Sequence, residues 1–496
     1  MFLSRDMPAM HAGATASMLE PARKRARLLK APVTPSQAPA PQRVDAIAAA
    51  WLLAARQDRR DRLEILLGLG IDANLASDQG STALIVACQE GHHEAAGLLL
   101  THGADPCKAR LGGCTPLMAA SHGGHLACAQ LLLHARAVVD QPREDGLTAL
   151  HVASRAGHAD VLWALLASGV DPDTPSSSGS TPLMIACQAG HCDCAQLLLE
   201  SAAVPSRARK NSMTALMEAA FAGQCGCVDL LLASGADPNE STPSATSPLM
   251  FAAQAGHVSC LRLLLECGAC VDAARDNGWT AMMAACQAGH IECARALCDG
   301  GAELDCVASD GVTALLAACG QGHTDVCKLL SVHGAARMHA HSGLSPADVA
   351  RALRHVQLAD WLEMSAGWST PLHHLSVLPT SEVVRLLRGG ASLHARERPP
   401  DPSPIDIAAR LVAAAGADDD VAVANAQLVL EAGQRWSPAS HALFPAEART
   451  RAIELLLVGH QLVGSPLGAG STALLDVWVD RIMPLAVTRE LALGEL

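Results

Sequence analysis

Tyrosine is absent from the 496 residues, and phenylalanine and tryptophan number only four and seven. A core of large stacked rings is therefore excluded. Half of the residues are nonetheless hydrophobic, so the buried material has to be Ala, Leu, Val, Met and Cys. Small side chains of that kind suit short helices stacked closely on one another. Long apolar runs are missing too: none reaches the roughly 18–20 residues that a bilayer-spanning helix needs. The N-terminus lacks the apolar stretch of a secretory signal, so secretion is not expected. The formal charge is −13, which argues against nucleic acid as the main partner, because phosphate binding needs concentrated positive charge. Catalytic signatures are lacking as well. There is no Gly-rich phosphate loop, no GxSxG turn and no HExxH, and no enzyme is expected. Eighteen cysteines without a secretory signal read as reduced thiols of an intracellular protein, cytoplasmic or nuclear.

What is present is a period. Thr-(Ala/Pro)-(Leu/Met) begins at Thr82, Thr115, Thr148, Thr181, Thr214, Thr280 and Thr313, and Ser247-Pro248-Leu249 fills the gap, so eight starts lie 33 residues apart. A period of this size indicates an array rather than one globular core. Within each repeat the Thr hydroxyl can cap a first helix, with Pro or Ala at its first position. Apolar residues follow at helical spacing, as in Leu84, Ala87 and Cys88. Gly91 stops that helix, because glycine accepts positive φ. A second helix from about His93 to His102 carries Ala96, Leu99 and Leu100 inward, and Gly103 ends it. The turn back to the next start carries glycine at Gly80, Gly113, Gly146, Gly179, Gly278 and Gly311, with Ser212 and Ala245 in two repeats. Neither helix can bury its stripe alone; stacked on neighbours, both can.

Thr181-Pro182-Leu183, Ala186, Gly190-His191 and Leu197-Leu198-Leu199, with their counterparts, resemble the ankyrin repeat. The likeness extends over residues 50–435. It implies an all-α ankyrin-repeat solenoid of about twelve repeats, each a helix-turn-helix with a hairpin-like loop, and a concave face that binds other proteins. The family pattern has His three residues after the Thr, where its ring fixes the turn. Here only His151 and His373 stand there, and Met118, Met184, Met217, Met250 and Met283 take the other places. An adaptable apolar column is expected at the cost of the ring's hydrogen bond.

The ends are irregular. Residues 1–44 are expected to be a disordered, Pro-rich tail with a basic cluster, Arg23 to Lys30, readable as an import signal or as a solvated stretch. Residues 45–78 read as an N-terminal capping repeat, 79–344 as regular repeats and 345–435 as degenerate ones. Ser345-Pro346 arrives a residue early, Thr370-Pro371-Leu372-His373 follows after only 25 residues, and Ser403-Pro404-Ile405 opens one more repeat before an acidic insert at Asp418, Asp419 and Asp420. Residues 436–496, from Trp436 to a last amphipathic helix over Thr472 to Met483, read as a helical cap or as a docking element.

Cysteine and histidine fall into columns. Cys88, Cys187, Cys286 and Cys319 lie six residues after their starts, and Cys128, Cys194, Cys227, Cys260 and Cys293 thirteen after. Both are core positions where cysteine acts as a small hydrophobe. The Gly-His pairs form another structural column. Cys192-Asp193-Cys194 and Cys225-Gly226-Cys227 lack zinc-knuckle spacing. No metal and no cofactor is expected.

The binding surface is sought at two places per repeat, the loop tip just before the start and the end of the first helix. Gln89, Arg155, Gln188, Met213, Phe221, Gln254, Trp279 and Gln287 are the candidate partner-binding residues. The glutamines suit an extended peptide backbone. Met213, Phe221 and Trp279 are large apolar groups at positions expected to be wet, and aromatic anchors dominate interface energy. The function expected is a non-enzymatic, monomeric protein-interaction scaffold. The alternatives are a targeting adaptor, such as the substrate-selecting subunit of a ubiquitin ligase docking through 436–496, and a metal or redox sensor in the cysteine columns.

Overall fold

The computed structural model describes residues 40–336, 345–366, 368, 370–389, 391–395, 401–414 and 420–433. The Arg23–Lys30 cluster, Asp418, Asp419 and the segment 436–496 lie outside these. The chain forms two compact bodies, Met1–Glu144 and Asp145–Leu496, each taken by itself below. The described residues hold 23 α-helices, one short 3-10 helix and no strand. Two isolated antiparallel bridges, Ala76 with Thr82 and Ala274 with Thr280, are the remnant of a hairpin at the loop.

In the first body, helix Ala40–Arg56 begins ahead of the expected boundary at residue 45, and pairs with Arg60–Gly68. Trp51, Ala55 and Leu63 are fully buried, while Ile65 is 62% exposed. Two regular repeats follow, Ala83–Glu90 with His93–Thr101, and Pro116–Gly123 with Leu126–His134. First helices pack on first helices and second on second. Ala95, Ala96 and Leu99 are buried as this requires, whereas Leu100, expected inward, is only half-buried.

The second body continues the pattern with first helices Ala149–Ala156, Pro182–Ala189, Ala215–Ala222, Pro248–Ala255, Ala281–Ala288 and Ala314–Gln321. Each has its second helix about ten residues on, Ala159–Ala167 to Thr324–Val332. The start hydroxyl caps as the sequence implies: Met184 N–H donates to Thr181 Oγ1 at 3.3 Å, and Met250 N–H to Ser247 Oγ at 3.4 Å. His151 adds bonds that join its own start to the next loop. Its Nδ1 accepts from Thr148 N–H at 3.2 Å, and its Nε2–H donates to the Ser180 carbonyl of the next loop at 3.1 Å. A thioether cannot make the second. At Met184 the sulfur takes only the first, from Thr181 N–H at 3.5 Å. The methionines are buried and fill the column. Neighbouring loops stay joined by backbone, as in Ser177 N–H to Asp145 O at 3.0 Å and Ser309 N–H to Asn277 O at 2.9 Å. Ser212 and Ala245, which replace the loop glycine, take φ of 60° and 58°. Each L side chain held there costs about 1–2 kcal/mol.

Burial lowers the proton affinity of His151, against the pull of its bond to Ser180. The folded protein therefore keeps the ring neutral while the unfolded chain protonates near pH 6.5. The ring's contribution to stability is complete above that pH and is lost as pH falls below it. His373 is shifted the same way by burial. Tm followed by circular dichroism is expected to fall from pH 7 to pH 5, and to fall less steeply in His151→Met. Equal slopes in the two proteins would rule out this role for the ring.

A second column joins the repeats behind the first helices. The histidine after the helix-stopping glycine donates its Nε2–H to a carbonyl of the preceding repeat. His191 reaches Arg155 O, His257 reaches Phe221 O and His323 reaches Gln287 O, each at 3.1 Å. In the first body His125 reaches Gln89 O at 3.1 Å. Between the Thr181 and Thr214 repeats the place is held by Gln224, whose amide lies against Gly190.

The degenerate repeats keep less of this. The Ser345 repeat has a first helix of only seven residues, Pro346–Ala352, followed by Val356–Met364. At Thr370 the first helix shrinks to one 3-10 turn, Pro371–His373, before Thr380–Arg388. Ser403 and Asp406 form a reciprocal cap on Pro404–Ala414, which pairs with Asp420–Gly433. These elements share a core of Leu372, Leu375, Leu378, Val383, Leu387 and Val429. Asn425, fully buried, donates its amide to the carbonyls of Leu375 and Leu378 at 2.9 and 2.8 Å.

Candidate functional site

Consecutive first helices of the second body lie side by side, so the residue seven after each start forms a row at their ends. Arg155, Gln188, Phe221, Gln254 and Gln287 are all exposed there. In the first body Gln89 is exposed at the matching place, on a cleft of about 340 Å³ that Leu53, Ile85, Val86 and Arg110 also line. The backbone beneath most of these residues is fixed, because the histidines described above hold their carbonyls.

Phe221 is 48% exposed. Phe251, half-buried in the next repeat, meets it edge to face, with ring centroids 6.0 Å apart and planes at 82°. Such a pair is worth about 0.5–1.5 kcal/mol beyond its buried area, and it holds Phe221 in place before any partner arrives. Phe251 is not among the residues that the sequence singles out at loop tips and helix ends. It stands four residues after its start, in a column of Val86, Ala119, Val152, Ile185, Ala284 and Ala317, where its size is out of line.

The same column holds Glu218, which is 4% exposed. Its carboxylate is held between two polar groups, Arg209 Nη1 at 2.9 Å and Gln188 Nε2 at 3.2 Å. Burial raises its pKa and Arg209 opposes the rise. A lone acid in an apolar column is the signal for it. Gln188 is therefore already engaged by Glu218 rather than free for a peptide. Gln254 is likewise engaged: its Oε1 accepts from Arg275 Nη2 at 3.1 Å. Arg275 is half-buried, and desolvation lowers its pKa.

The loop-tip candidates divide. Trp279 is half-buried, with its backbone N–H on Asn277 Oδ1 at 3.2 Å. Met213, expected to be wet, is only 8% exposed. Its hairpin is closed by Arg209 N–H to the Met213 carbonyl at 3.0 Å, with Ser212 at positive φ, and this folds the thioether back against the protein. Met213 is thus a packing residue of the loop.

The cysteine columns are core, as their spacing implies: Cys187, Cys194, Cys227, Cys260, Cys286, Cys293 and Cys319 are 0–1% exposed. Cys267 and Cys270 belong to neither column and are exposed. Among the described residues no three His, Cys, Asp or Glu side chains converge as a metal site, and no helix is long and apolar enough to cross a membrane.

A family model described as ankyrin repeats in three copies matches residues 51–143, 99–176, 150–242 and 216–308. A single ankyrin-repeat model matches 310–342. The crystal structure of the human ASB11 ankyrin repeat domain is similar at 30% identity and a TM-score of 0.39, over 41% of this chain and 90% of that one. No curated protein matches.

Proposed function

The chain belongs to the ankyrin repeat family, and from that premise we propose that it is a non-catalytic scaffold whose second body binds a segment of another protein across Phe221, Phe251 and Trp279. Ankyrin repeats are generally protein-binding modules. The observation that carries the finer reading is Phe221, a large ring left half in water and steadied by a second ring, in a chain with four phenylalanines. Exposed aromatic anchors are the usual source of binding energy. Around the rings, Gln188–Glu218–Arg209 and Gln254–Arg275 are polar groups already paired and partly desolvated. A partner covering them meets a surface that needs little rearrangement, which lowers the cost of association. Arg155 and Gln287 flank this patch in the same row, and Gln89 marks the corresponding place in the first body.

The test is a Phe221→Ala/Trp279→Ala double variant in affinity purification with mass spectrometry. Its melting curve should match the wild type, and the main partner should bind about tenfold or more weakly, equivalent to about 1.4 kcal/mol or more. An unchanged partner set at unchanged affinity places the interface elsewhere.

A further inference from the structure

Cysteine occurs eleven residues after a start in only two repeats, at Cys192 and Cys225. In each case the following repeat carries cysteine thirteen after its own start, at Cys227 and Cys260. Stacking of the second helices turns this offset into contact. Cys192 Sγ lies 3.3 Å from Cys227 Sγ, and Cys225 Sγ lies 3.0 Å from Cys260 Sγ. A disulfide requires about 2.05 Å, so each pair has about 1 Å to close.

The first joint carries glycine where the second carries serine. Gly226 stands beside Cys227 in a column where other repeats have Glu94, Ala127, Asp160, Asp193, Ser259, Glu292 or Asp325. A Cβ at Gly226 would meet Cys192 Sγ at 2.9 Å. At the second joint Ser259 holds the matching place, and the sulfurs there still lie 3.0 Å apart. Access is one-sided in both pairs: Cys192 and Cys225 are partly exposed, while Cys227 and Cys260 are buried. Three further contacts, Cys319 with Cys327 at 3.6 Å, Cys88 with Cys128 and Cys187 with Cys227, are buried at both ends.

We propose that Cys192 and Cys227 form a reversible disulfide between adjacent repeats when the protein meets a low-molecular-weight disulfide such as oxidised glutathione. The Cys192 thiolate attacks one sulfur of the small disulfide, forming a mixed disulfide and expelling one thiolate. The Cys227 sulfur then attacks Cys192 Sγ, forming the protein disulfide and expelling the second. The two protein thiols lose two electrons and two protons, and the small disulfide becomes two thiols. Hydrogen bonds from Cys187 and Cys192 bring the Cys227 thiol down to about 7, against the effect of its burial, which suits it to the second step at neutral pH. Burial pushes Cys260 up to about 12. Burial, with the contact to Cys227, likewise pushes the Cys192 thiol up to about 11, so the first attack, on the small disulfide, is the slow step.

The experiment treats the full chain with oxidised glutathione at pH 7.4, quenches with an alkylating agent, and maps linked peptides by mass spectrometry over time. A Cys192–Cys227 peptide is expected and should revert with dithiothreitol. Cys192→Ser should abolish every link that contains Cys227. The proposal is overturned if Cys192 accumulates as the glutathione adduct without an internal bond. It is equally overturned if linkage appears only at the exposed Cys267 and Cys270.

Discussion

Gly223→Ala is expected to destabilise the second body by about 3 kcal/mol. Gly223 ends the first helix of the Thr214 repeat at φ +74°, where an L side chain costs about 1–2 kcal/mol. The added Cβ would also sit 2.5 Å from Nδ1 of His257, a rigid ring rather than a flexible chain end. The ring must move, and its bond to the Phe221 carbonyl is lost, at about 1–2 kcal/mol more. Gly235 separates the two contributions. It has φ +88°, and a Cβ added there would meet nothing within 4 Å, so Gly235→Ala should show only the backbone cost. Urea unfolding of the two variants checks the difference. Equal losses would mean that the histidine column contributes nothing at this joint.

Asn425→Ala should cost a similar amount, about 3 kcal/mol, but in a different place. The Asn425 amide is the buried donor for both the Leu375 and Leu378 carbonyls. Removing it leaves two acceptors without that donor inside an apolar core, at about 1–3 kcal/mol each. Repeat arrays are held by nearest-neighbour contacts, so the loss should be local. Hydrogen exchange is expected to accelerate across 371–388 while the helices from 149 to 299 keep their protection. A uniform acceleration would show the array melting as one cooperative block.

Much of this architecture is legible in the sequence because it depends on short-range chemistry repeated in register. The Thr caps, the positive-φ glycines and the two cysteine columns each follow from one residue type at one offset. The legibility weakens where a partner lies in another repeat. Nothing near Gln188 in the sequence announces that Glu218, thirty residues on, engages its amide. Met213 departs from expectation because a loop tip is not the same as solvent: a hairpin this tight returns its last side chain to the body. Glu218 and Phe251 stand out only as misfits in an apolar column. The Thr370 repeat is readable only in part: its start motif is intact, and the helix expected after it is a single turn.

One joint of the second body is tied by a different group from its neighbours. Between the Thr181 and Thr214 repeats a pliable amide, Gln224, stands where other joints have a rigid imidazole. The same joint brings Cys192 against Cys227. That joint stands just ahead of the repeat that carries Phe221. A bond closed between those two sulfurs would clamp the repeat behind the aromatic surface covalently to the one before it, and so give the surroundings a handle on that surface.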